Sequence, residues 1–94
     1  EYDTVIVGTP TWWYTMASPV LSFLSQVDWR RKTLIPFQTH AGWPGHCLED
    51  MGQICQGARV LCPKKIHFSP KQFGRVETPR QELEQWLTQL KTLV

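Results

Sequence analysis

The chain has 94 residues, enough for one domain, and a hydrophobic content of 41% supports a packed core rather than disorder. The net charge of +2 comes with only short basic clusters, which argues against nucleic-acid binding. No apolar stretch approaches the roughly 20 residues that cross a bilayer. The three cysteines, an odd number, indicate reduced thiols in a cytoplasmic protein rather than a disulfide scaffold.

The first predicted strand runs from Tyr2 to Gly8. Its run TVIV is continuous and apolar, which is typical of a parallel-sheet strand buried on both faces. A loop, TPTWWYTMAS, follows it. Ser18 as N-cap and Pro19 at the first helical position then predict a helix. Its apolar stripe is formed by Val20, Leu24 and Val27.

The second predicted strand runs from Thr33 to Gln38 and contains Pro36, which cannot donate a ladder hydrogen bond. The glycines and the proline from Thr39 to Gly45 predict a loop. A helix from His46 to Gln56 follows, and Gly57 is a suitable stop for it. Its residues at helical spacing are Cys47, Leu48, Met51, Ile54 and Cys55.

The third predicted strand runs from Ala58 to Cys62, and KKIHF is either a further short strand or its continuation. The last helix has the clearest signals, with Thr78 as N-cap, Pro79 in the first turn and Gln81 completing a capping box. Its apolar stripe is formed by Leu83, Trp86, Leu87, Leu90 and Val94. Strands that alternate with amphipathic helices predict one α/β domain over residues 1–94, with a parallel sheet and right-handed crossovers.

Two loops leave the carboxyl ends of neighbouring strands in this arrangement, and ligands of open α/β sheets bind at that edge. The loops carry aromatic side chains and exposed backbone amides, which suit a flat heteroaromatic ring. An alternative is that one tryptophan of the Trp12-Trp13 pair packs on a helix. The candidate binding residues are Thr9, Pro10, Thr11, Trp12, Trp13, Tyr14, Thr39, His40, Ala41, Gly42 and Trp43.

Other residues that could carry chemistry have simpler interpretations. Cys47 and Cys55 lie on the apolar side of their helix, and with His46 they match no zinc spacing, so we predict core cysteines and no metal site. His40 is either an acid–base group or a loop histidine bonded to its neighbours. The sequence contains neither GxGxxG nor GxxxxGK[ST] phosphate-binding motifs, and no catalytic residues are predicted.

Three segments together resemble the flavodoxins, in particular those with a paired-tryptophan loop. They are GTPTWW after an apolar strand, KTLIPFQTHAG after a helix, and ELEQWL in the last helix. The resemblance implies a three-layer α/β/α fold of which this chain is the C-terminal part, supplying the third to fifth strands with their helices. The missing part would hold the phosphate loop, and the strand from Tyr2 to Gly8 would become an open edge through which two copies pair.

The resemblance also implies FMN as cofactor. The segment from Pro10 to Tyr14 would flank the isoalloxazine, and the segment from Thr39 to Trp43 would bond its pyrimidine edge. Relatives tend to have glycine after the tryptophan pair, where this chain has Tyr14. The implied role is electron transfer to a redox partner protein or a small quinone-like acceptor. Alternatives are an FMN-dependent oxidoreductase with its own substrate, and a non-redox module that dimerises through the open strand.

Overall fold

The computed structural model describes residues 3–12, 14–69 and 75–93. The strands are β1 (Asp3–Trp12), β2 (Thr15–Met16), β3 (Lys32–His40), β4 (Arg59–Val60) and β5 (Lys64–His67), and the helices are α1 (Ser18–Gln26), α2 (Cys47–Ile54) and α3 (Arg80–Leu93). The order of strands and helices confirms the predicted α/β class.

Strand β3 is the centre of the sheet. It pairs in parallel with β1 on one side and with β4 and β5 on the other, while the short β2 pairs antiparallel with the end of β1. The two long strands are in register over eight residue pairs, from Asp3↔Lys32 to Pro10↔Thr39. Both carboxyl ends therefore reach the same edge of the sheet, as the sequence predicts.

Pro36 lies in the middle of β3, not near its end. The Leu34 carbonyl accepts from Leu61 N–H, and backbone groups along a strand alternate between its two neighbours. The nitrogen of Pro36 therefore faces the same neighbour, at the gap between the end of β4 at Val60 and the start of β5 at Lys64. The register shifts by one residue across this gap. Thus β4 and β5 act as one interrupted strand, which resolves the two alternatives for KKIHF.

Helices cover both faces of the sheet, which gives the predicted three layers. We call the side covered by α1 and α2 the α1/α2 face, and the side covered by α3 the α3 face. The buried core of the α1/α2 face comprises Val7, Met16, Leu24, Trp29, Leu34, Cys47, Met51 and Cys55. The buried core of the α3 face comprises Ile35, Trp86 and Leu90.

The aromatic contact of the α3 face explains a glycine in β1. Phe37 meets Trp86 edge-on, with ring centroids 5.5 Å apart. The Phe37 ring also covers Gly8 so closely that a Cβ there would lie 2.0 Å from it. Any larger residue at position 8 would force this ring out of the core.

The predicted burial of β1 on both faces is wrong. Val7 is buried on the α1/α2 face, but Ile6, which points to the other face, is 44% exposed. The reason is that the described core under α3 includes Ile35 and Phe37 of β3 but no residue of β1. In the described part of the chain, residues 3–10 of β1 also have no strand on their outer side.

The helix starts differ from their sequence signals. The N-cap of α1 is Ala17, whose carbonyl accepts from the amides of Val20 and Leu21, so Ser18 is already helical. The Thr78 hydroxyl accepts from His67 N–H instead of capping α3. In the stripe predicted for α3, Leu87 is 50% exposed. The end of that stripe, Val94, is outside the described residues.

Candidate functional site

The segment after the first predicted strand is a β-hairpin, not a loop. Strand β1 continues to Trp12, and the chain returns at Thr15, its cross-strand partner. The turn lies between Trp12 and Thr15 and includes Tyr14, whose φ of 70° is a left-handed conformation that favours glycine. Trp13, a predicted site residue, lies outside the described residues. A glycine would adopt the conformation of Tyr14 without strain.

The loop after β3 packs directly against this hairpin. His46 N–H donates to the Tyr14 carbonyl at 2.8 Å. Gly45 lies so close that a Cβ would be 2.2 Å from the same oxygen, and its φ of 59° also favours glycine. The two predicted loops therefore meet at the carboxyl edge of the sheet.

A buried amide joins the hairpin to the loop. Gln38, which is fully buried, donates through Nε2 to Thr11 Oγ1 at 2.8 Å and to the Pro44 carbonyl at 3.0 Å. Thr11 Oγ1 in turn donates to the Thr39 carbonyl at 2.9 Å. Gln38 Oε1 is buried without a partner among the described residues. Sequence analysis missed Gln38, although one amide at the end of an apolar strand was the available signal.

A cleft of about 260 Å³ lies between the hairpin and the loop. Its lining comprises Thr11, Tyr14, His40, Ala41 and Trp43, all of them predicted site residues. Tyr14 is 55% exposed and Trp43 is 70% exposed, so one large aromatic side chain from each segment borders the cleft. Among the residues that the structure describes, no carboxylate lines it. The arrangement offers apolar rings, a hydroxyl, an imidazole and backbone groups to a ligand.

The other predicted site residues have different positions. Thr9 is buried away from the cleft, where its hydroxyl accepts from Ala17 N–H at 3.0 Å and holds the start of α1 against β1. Pro10 and Trp12 are exposed on β1 outside the lining. Thr39 contributes its carbonyl to the Thr11 bond, and Gly42 lies in the loop between two lining residues.

One residue of the cleft, His40, belongs to a pair of stacked histidines. His40 and His67 are cross-strand partners at the ends of β3 and β5. Their rings are stacked, with centroids 4.9 Å apart and planes at 8°. Burial, followed by the charges of His67 and Lys65, lowers the pKa of His40 below its usual value. Sequence analysis gave His67 no role, because the register of β5 against β3 was not known.

The remaining titratable groups near the site are structural. Burial raises the pKa of Cys47 and of Cys55 to about 11, so both thiols are inert members of the core. Asp50 accepts from the Thr15 hydroxyl and pairs with His46, which ties α2 to β2. These bonds, the one from Thr15 first, lower the pKa of Asp50.

Searches for two other kinds of feature were negative over the described residues. They hold no group of three or more side chains suited to a metal ion. None of the helices in residues 3–12, 14–69 and 75–93 combines the length and the apolarity that crossing a membrane requires.

The fold and the cleft define an α/β protein with a ligand-sized site at the carboxyl edge of a parallel sheet. The family model for flavodoxin matches residues 1–90, and the chain therefore belongs to the flavodoxin family. A search among curated proteins found no match.

Proposed function

We propose that the cleft binds the isoalloxazine ring of FMN and that the protein carries electrons in the cytoplasm. The observation that supports this most is the meeting of two aromatic-bearing segments at one cleft, with Tyr14 from the hairpin and Trp43 from the β3–α2 loop. Membership of the flavodoxin family agrees with this cofactor class. FMN, when bound, supplies the transfer of one or two electrons.

The described residues fit the ring in three ways. Exposed aromatic faces at Tyr14 and Trp43 are free to stack on it. Ala41 borders the cleft, and backbone groups there suit a polar ring edge. The bonds of Gln38 to both segments hold the cleft open before a ligand arrives, which reduces the entropy cost of binding.

The cleft leaves a route for electrons. Because Tyr14 and Trp43 are more than half exposed, a ring between them lies at the protein surface. A redox partner protein or a small quinone-like acceptor can then approach its edge without a conformational change. We place the protein's contribution in binding, orientation and local charge rather than in bond-breaking.

A flavin titration tests the proposal. Riboflavin and FMN are added separately while tryptophan fluorescence is followed, and both are expected to quench it because the ring alone fills the cleft. Trp43→Ala should weaken binding about fivefold, as loss of one aromatic contact costs about 1 kcal/mol. The matched control is Phe23→Ala, an exposed aromatic on α1 outside the cleft.

Two results would count against ring binding. One is the absence of quenching by either flavin. The other is equal weakening by Trp43→Ala and Phe23→Ala, which would mean that flavin adheres to exposed aromatics in general. Equal affinities for riboflavin and FMN would mean that the described residues bind the ring and not the phosphate.

A second candidate function is a non-redox module that dimerises through β1. It is favoured by the outer side of residues 3–10, which no described strand covers, and by the exposed Ile6 beside it. Unpaired strand edges of this kind are templates for pairing with another chain. A colourless protein that sediments as a dimer would favour this function over the first.

A further inference from the structure

The cleft contains a hydrogen bond that depends on the protonation state of a histidine. Gly42 N–H donates to His40 Nδ1 at 3.1 Å. Nδ1 can accept only in the neutral ring, whose single proton must then be on Nε2. A protonated His40 carries hydrogen on both nitrogens, so this bond breaks and two N–H groups face each other.

The acceptor is held firmly on the sheet. The His40 carbonyl accepts from Phe68 N–H, and its strand pairs with β5 at His67. His67 is itself fixed, because its amide donates to the Thr78 hydroxyl and its carbonyl accepts from the amides of Glu77 and Thr78. The stacked His67 ring therefore limits where the His40 ring can move.

The donor belongs to the part of the loop that borders the cleft. Gly42 separates Ala41 from Trp43, both of which line it. Its φ of 123° is open to glycine but not to most residues, and glycine has the widest choice of backbone conformations, so a hydrogen bond to its N–H restricts this segment. In the described structure the Gly42 N–H bonds to His40. Loss of this hydrogen bond would free Ala41 and Trp43, the lining residues on either side of Gly42.

The charges around His40 favour the neutral, bonded state. In β5, the His67 ring stacks on His40, and Lys65, two residues earlier in the same strand, lies on the same face of the sheet. From the hairpin, Tyr14 shares the cleft, and beyond β5 the pair of Arg75 and Glu77 adjoins the backbone of His67. Burial and the charges of His67 and Lys65 lower the pKa of His40, which favours the neutral ring that accepts the Gly42 bond.

We propose that His40 is a pH-sensitive latch on residues 41–43, which shapes the cleft while the imidazole is neutral and releases it on protonation. Its effect on flavin affinity rests on the function proposed above. The latch itself is a property of the chain without ligand. Because the proton binds better to the released state, release occurs as the pH falls below about 6.5, through the lowered pKa of His40.

The first test is an NMR titration of the Gly42 amide in the ligand-free protein from about pH 8 to about pH 4.5, the range in which histidines titrate. We expect its chemical shift to move with a midpoint below about 6.5. In His40→Asn the side-chain oxygen can accept the same bond and cannot be protonated, so the shift should stay constant. In His67→Asn the midpoint should rise, since a neighbouring positive charge is removed.

Two outcomes would overturn the latch. One is a Gly42 amide that does not respond to pH in the unmodified protein. The other is the same response in His40→Asn, which would assign the titration to a different group. A midpoint in His67→Asn that stays unchanged or falls would contradict the role of the stacked pair.

The second test measures riboflavin binding at about pH 7.5 and about pH 5. Loss of one hydrogen bond predicts binding about fivefold weaker at the lower pH. In His40→Asn the ratio of the two affinities should be near one, whatever its absolute affinity. If the Gly42 amide shift changes with pH but the riboflavin affinity does not, the latch does not control the cleft. No riboflavin binding at either pH would reject the flavin function, and the NMR result would still decide the latch.

Discussion

The two faces of the sheet differ in how completely they are closed. Among the described residues, the core of the α1/α2 face, under two helices, has eight buried members, whereas the core of the α3 face, under one helix, has three, and Ile6 on that face is partly exposed. The free energy of folding is therefore concentrated on the first face, because it scales with the apolar area removed from water. The second face has apolar surface available for contact with another molecule.

The candidate site belongs to the closed face. Thr11, Gln38 and His40 continue the side-chain alternation that puts Val7 and Leu34 in the α1/α2 core. The cleft thus extends from the best-packed part of the molecule, where side chains have least freedom to move. A site supported in this way can hold its geometry without a ligand.

The largest expected loss of stability comes from shortening a buried side chain in the α1/α2 core. Leu24 is fully buried between α1 and the sheet. Leu24→Ala should lower the free energy of unfolding by about 2–5 kcal/mol, through lost burial and a cavity. Urea denaturation measures this, with Leu21→Ala as control, since Leu21 lies on the same helix but is 40% exposed. Similar losses in both variants would show that the core of this face is not closed.

The matching deletion on the α3 face should cost less. Leu90 is 8% exposed, and its described core consists of the buried Ile35 and Trp86 with partly buried residues around them. Leu90→Ala should lower the free energy of unfolding by about 2 kcal/mol, the low end for such substitutions. Leu87→Ala on the exposed side of the same helix is the control. If Leu90→Ala cost as much as Leu24→Ala, the difference between the faces would not be energetic.

The smallest effect on stability, and the sharpest on association, is expected at Ile6. Because the side chain is already 44% exposed, Ile6→Lys should change the free energy of unfolding by no more than about 0.5 kcal/mol. A charge beside an open strand opposes edge pairing, so any dimer seen by sedimentation velocity should dissociate. Leu87→Lys places the same charge on α3 and should leave the dimer intact. The reverse pattern would place the contact on α3.

Local patterns predicted most of the secondary structure but not its boundaries. The runs TVIV and TLIPF and the stripe of α3 give the right elements because periodicity reflects the side that faces the core. Whether a side chain caps a helix depends on which other groups in the folded chain form hydrogen bonds with it. Thr78 has the right residue type for an N-cap, but its hydroxyl is used by His67, whose position depends on the β5 register.

The sequence predicted the two segments that form the candidate site but not the contacts between their side chains. Aromatic and glycine-rich segments after consecutive strands are visible in the sequence, and the topology of parallel sheets brings them together. Gln38 and His67 were missed because each acts through a partner distant in sequence. Gln38 looks like one more strand residue until Thr11 and Pro44 are found around its amide.

The sequence by itself determined the alternation of strands and helices, the flavodoxin resemblance and the segments that border the cleft, because these follow from residue types at short spacing. Only the tertiary structure decided that β1 ends in a hairpin, that Pro36 faces an interruption between β4 and β5, and that His40 meets both His67 and Gly42. Such features depend on strand register, and a shift of one residue would move every side chain to the opposite face.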